Sequence, residues 1–76
     1  MLKVLLVGQQ SKRLLEANRF FRDRGVEVFF MPSPDEKYMR AIQRDGCIAA
    51  MICSEEREVW KRWMCNHGWK GHVEFS

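Results

Sequence analysis

Leu2-Lys3-Val4-Leu5-Leu6-Val7-Gly8 is the stretch that decides the fold. Apart from Lys3, both alternating sets of side chains are apolar, the pattern of an interior parallel strand covered on two faces. Gly8 ends the strand and Gln9-Gln10-Ser11 makes a turn. Ser11 suits an N-cap, and Leu14, Ala17 and Phe21 recur on one stripe of a helix that runs to Gly25.

This strand-then-helix unit repeats along the chain. Val26 to Met31 is a second strand, and Ser33-Pro34-Asp35-Glu36 reads as a helix start with serine at the N-cap, proline at the first helical position and glutamate at N3. The second helix turns Tyr38 or Met39, Ala41 and Ile42 inward and closes at Gly46. Cys47 to Cys53 is a third strand, apolar on both sides, after which Ser54 is expected to cap a third helix with Glu55 and Glu56 in its first turn. Val59, Trp60, Trp63, Met64 and His67 form the apolar stripe of that helix, and His72 to Phe75 a short last strand. The spacing between strands, roughly 21 to 26 residues, is that of one βα unit.

The 76 residues are therefore read as a single α/β domain, residues 1–76. The expected architecture is three-layered, with a four-stranded parallel sheet of order 2-1-3-4 and three helices (βαβαβαβ), a truncated flavodoxin-like fold. Right-handed crossovers put the first helix on one face and the other two on the opposite face. The first helix then covers strands 1 and 2 but leaves its own face of strands 3 and 4 open, so Ala49, Met51 and Glu74 are candidate interface residues for a homodimer or a partner protein.

Composition narrows the classes. Hydrophobic residues make up 46% and aromatic residues 12%, enough for a core, and 30% charged residues supply a solvated exterior, which excludes a disordered chain. A domain of this length buries only about 60% of its unfolded surface, so a partner would add stability. The net charge of +3 comes from 13 basic and 10 acidic residues, many at helical pair spacing, such as Lys12 with Glu16, Arg19 with Asp23 and Glu58 with Arg62. Such pairs are solvated helix faces rather than a basic stripe. Three cysteines without close spacing fit a reducing cytoplasm, and no apolar run is long enough for a secretory signal or a membrane span.

In an open α/β sheet, ligands sit beyond the carboxyl ends of the strands where strand order reverses. Gln9, Gln10, Ser11, Lys12, Ser54 and Glu55 line that crevice and are the candidate ligand-binding residues; Lys12 and Arg13 favour an anion or nucleotide at the start of the first helix. The loop has one glycine, so it is neither a dinucleotide fingerprint nor a P-loop. Cys53 sits at a strand end, but Glu55 and Glu56 oppose thiolate formation and His67 lies on the order of 18 Å away along the helix. No catalytic residue is assigned. Cys47, Cys65, His67 and His72 could meet at the opposite end of the sheet, yet they lack a Cys-x-x-Cys knuckle, and neither a metal nor another cofactor is expected. Trp60, Trp63 and Trp69 interleave with Lys61, Arg62 and Lys70, a composition that can bind nucleic acid. Helical spacing assigns Trp60 and Trp63 to the core and leaves Trp69 exposed, which puts nucleic acid third among the readings.

Leu2 to Gly8, Leu14-Leu15-Glu16 and Arg24-Gly25-Val26-Glu27-Val28 together resemble the first half of response-regulator receiver domains, over about the first 54 residues. The resemblance implies two acidic magnesium ligands after the first strand and a phosphate-accepting aspartate at the end of the third. Gln9, Gln10 and Cys53 stand at those positions, and there is no counterpart of the family's fifth strand and its lysine. It thus implies a degenerate receiver-like domain that keeps an interaction surface without phosphorylation. A likeness to sugar-phosphotransferase IIB domains is weaker, because their phosphorylated cysteine follows strand 1, where this chain has Gly8. The expectation is a non-enzymatic protein-protein interaction or regulatory module in the cytoplasm, with ligand binding in the crevice as the alternative.

Overall fold

The computed structural model describes residues 2–76. The elements run β1 (Lys3–Val7), α1 (Lys12–Arg22), β2 (Glu27–Met31), α2 (Glu36–Arg44), β3 (Ala49–Ile52), α3 (Arg57–Asn66) and β4 (His72–Phe75). All strands are parallel and their order is β2-β1-β3-β4, the α/β architecture that the repeated unit predicts.

Alternation along the strands divides the core into two layers. Leu5 and Val7 of β1, Met31 of β2 and Ala50 and Ile52 of β3 are buried on the face covered by Met39 and Ile42 of α2 and Met64 of α3. Val4 and Leu6 turn the other way and pack with Leu14 of α1, supported by Ala17, Phe21, Val26 and Val28. β1 is buried from Val4 to Val7 because it is the strand with helices on both faces.

The helix starts differ from the sequence reading. Asp35, not Ser33, is the N-cap of α2: its Oδ1 accepts from the Tyr38 N–H at 3.1 Å. A carboxylate there adds full negative charge to the positive end of the helix dipole, which a serine hydroxyl cannot. Ser54 does not cap α3 either; its Oγ accepts from the Glu56 N–H at 3.1 Å in a local turn, and the helix begins at Arg57 with Glu58 in its first turn. Glu55 and Glu56 therefore precede the helix.

Four burial expectations are also corrected. Ala41 is exposed, because Met39 and Ile42 carry the inward stripe of α2. Val59 is 62% exposed, since it lies one position off the Trp60, Trp63, Met64 and His67 stripe. Cys47 and Ile48 fall outside β3: the Cys47 N–H closes the end of α2 on the Ile42 carbonyl at 3.0 Å, and Ile48 is 71% exposed. Trp69 is only 5% exposed. Its N–H bonds back to the Met64 carbonyl at 2.9 Å, which folds the segment after Gly68 over the end of the sheet and seats the indole in the core. Among the described residues, no helix is long and apolar enough to cross a membrane.

Candidate functional site at the carboxyl ends of the strands

The three loops that leave β1, β2 and β3 enclose a crevice of about 770 Å³. The β1–α1 turn supplies Gln9 to Arg13, the β2–α2 turn Pro32 to Pro34, and the β3–α3 turn Cys53 to Glu56. Val59, Trp60 and Trp63 of α3 form a fourth wall. Gln9, Gln10, Ser11, Lys12, Ser54 and Glu55 all line it, as the strand-end rule predicts. The volume lies in the range of small-ligand sites, about 300–1,000 Å³.

Its floor is set by two backbone bonds where the strands end. The Gly8 N–H donates to the Met31 carbonyl at 3.1 Å and the Cys53 N–H to the Val7 carbonyl at 2.7 Å. Gly8 has a φ of +125°, and a Cβ built on it would stand 2.8 Å from the Cys53 carbonyl oxygen. Glycine is required there for the β1 and β3 loops to diverge around the crevice.

Charge is unevenly distributed across this crevice. Ser11 caps α1, its Oγ accepting from the Leu14 N–H at 3.1 Å, while the first helical N–H groups, those of Lys12 and Arg13, lack an intrahelical acceptor. With the helix dipole and two cationic side chains, that wall favours an anion. Glu55 and Glu56 make the facing rim acidic. The same crevice is lined by the indoles of Trp60 and Trp63, edge to face at a centroid distance of 6.2 Å. Trp63 in turn stacks on His67 at 4.6 Å, and the His67 ring Nδ1 lies 2.7 Å from the Trp63 carbonyl oxygen.

Cys53 is buried, and desolvation raises its thiol pKa despite a hydrogen bond from Ser76 and the charge of Arg13. A neutral buried thiol is a poor nucleophile. At the other end of the sheet, the four suspected metal-binding side chains do not converge. Cys47 is buried beneath the strands with its thiol pKa also raised by desolvation, Cys65 is exposed on α3, His67 is held by Trp63, and His72 pairs with Glu74. Among the described residues, no group of three His, Cys, Asp or Glu side chains could hold a metal ion.

Ala49, Met51 and Glu74 share the sheet face that α1 leaves partly open, as expected, but that face is less apolar than the strand pattern implies. Ala49 and Met51 are half-buried, Met51 packing with the α1 layer, and Cys53 is fully covered. β4 contributes only His72 and Glu74, exposed and paired at 2.7 Å. The sequence reading missed Pro32, Pro34, Val59, Trp60 and Trp63 as lining residues. The strand-end rule applied to strand 2 as well as strands 1 and 3 reaches the two prolines. The tryptophans carry no such signal, because half-buried indoles on an apolar stripe look like core.

Comparison with protein-family models, with curated proteins and with solved structures finds no match for this chain.

Proposed function

We propose that this domain is a non-enzymatic binding module that takes a small anionic ligand with a flat apolar part, of the mononucleotide class, in the crevice at the carboxyl ends of its strands. One observation carries this reading: a single cavity joins the uncapped N–H groups and cationic side chains at the start of α1 to an indole wall on α3. The anionic group fits the α1 end, where backbone donors need no reorganisation to receive it. The base or other flat group fits against Trp60 and Trp63, where stacking is worth about 1–3 kcal/mol per base. Glu55 and Glu56 disfavour polyanions by like-charge repulsion, which points to one phosphate rather than three. The lining does not favour nucleophilic catalysis, since burial pushes the Cys53 thiol pKa up and no histidine lines the crevice.

Tryptophan fluorescence tests the proposal. Titration with adenosine monophosphate is expected to change the emission of Trp60 and Trp63, with inorganic phosphate alone and adenosine alone each binding more weakly. A flat titration with all three would sink it.

Ala49 and Met51 favour a second reading, in which a partner protein docks on the open face of β3, because both remain partly accessible beside α1. That reading preserves the receiver-like expectation of an interaction surface. It ranks second because the polar His72–Glu74 pair occupies the adjoining strand.

A further inference from the structure

We infer that β4 pairs antiparallel with β4 of a second copy of this chain, in the register that places Val73 on the two-fold axis. This inference is independent of the crevice, which lies at the strand ends. Among the described residues β4 is an edge of the sheet. In a parallel ladder, alternate residues direct their N–H and C=O to the same neighbour. The His72 N–H donates to the Ile48 carbonyl at 2.7 Å and the Ser76 N–H to the Ile52 carbonyl at 3.1 Å, so His72, Glu74 and Ser76 face β3. The backbone groups of Val73 and Phe75 then point away from the sheet, a template for another strand.

Side chains select the partner and the register. His72 and Glu74 lie on one face of β4, exposed, with the imidazole Nε2 2.7 Å from the Glu74 Oε1. With the axis at Glu74, two carboxylates would oppose each other, which is unfavourable. With the axis at Phe75, Glu74 would oppose the neutral hydroxyl of Ser76 rather than the imidazole of His72. With the axis at Val73, each His72 opposes Glu74 of the second copy, so two imidazoles and two carboxylates alternate around the axis, and the Val73 residues exchange two backbone hydrogen bonds. On the other face, Arg57 sits 4.2 Å above the Phe75 ring with Lys61 nearby. The two Phe75 positions would be about 13 Å apart along the strands, which keeps these cations from facing each other.

Sedimentation equilibrium of the 76-residue chain, from micromolar to millimolar concentration, tests the pairing. A monomer–dimer equilibrium is expected, and Glu74→Lys should weaken it by about tenfold by setting lysine against histidine. The double variant His72→Glu with Glu74→Lys should recover the wild-type equilibrium, because only the Val73 register sets residue 72 of one copy against residue 74 of the other. Circular dichroism confirms that each variant is folded, as expected for exposed positions. A monomer at every concentration, a dimer indifferent to Glu74→Lys, or no recovery in the double variant would each overturn the inference.

Discussion

Gly8 and Cys53 meet where β1 and β3 end, so closely that a Cβ on Gly8 would lie 2.8 Å from the Cys53 carbonyl oxygen. The contact ties the fold to the crevice, because the loops that diverge from these two residues carry its two charged walls.

Gly8→Ala should therefore be among the more damaging single-methyl changes in the molecule. It adds a steric overlap to a backbone φ of +125°, and the cost is expected to reach about 2 kcal/mol or more. For a domain of this size that lowers Tm by at least about 8 °C, readable by thermal unfolding. An unchanged Tm would show that the β1 and β3 loops can separate without loss.

Gln43 holds the segment between α3 and β4 with both ends of its amide. Its Nε2 donates to the Gly68 carbonyl at 3.0 Å and its Oε1 accepts from the Lys70 N–H at 2.9 Å. Gln43→Ala is expected to cost about 1–3 kcal/mol in urea unfolding, and Gln43→Glu to keep the acceptor and lose the donor, with an intermediate effect. Equal stability of all three proteins would mean that the bridge is solvent-replaceable.

The three thiols should behave as two classes, Cys65 exposed and Cys47 and Cys53 buried. A thiol reagent is expected to label one cysteine rapidly in the folded protein and all three after unfolding. Burial raises the folded thiol pKa of Cys47 and Cys53. Their contribution to stability is complete below the ordinary thiol value of about 8.5 and is lost as pH rises from there through the raised folded values. Burial of the Tyr38 phenol acts in the same direction at higher pH. Urea midpoints should thus fall at alkaline pH, and a midpoint that rises there would contradict the assignment.

Sheet order and both core layers were legible in the sequence because they follow from alternation and from crossover handedness. Leu5 and Val7 point one way, Val4 and Leu6 the other, and no tertiary detail is needed to see it. The helix starts were less legible. Ser33 and Asp35 are both good caps, and only the observed Asp35–Tyr38 bond separates them. The burial of Trp69 is not legible in the sequence, because it depends on the turn at Gly68 and a long-range return to the sheet, which local periodicity does not encode. In the crevice, the strand-end rule found the β1 and β3 loops. It could not find Trp60 and Trp63, whose role comes from where α3 sits rather than from its pattern.

Amide chemical-shift mapping with adenosine monophosphate tests the central claim most directly. The account predicts saturable shifts confined to Gln9 through Arg13, Ser54 through Glu56 and the indole N–H groups of Trp60 and Trp63, with Lys12→Glu weakening the binding. Shifts centred on Gly46 and Gly71 at the opposite end of the sheet, or no saturable shift at millimolar ligand, would contradict it.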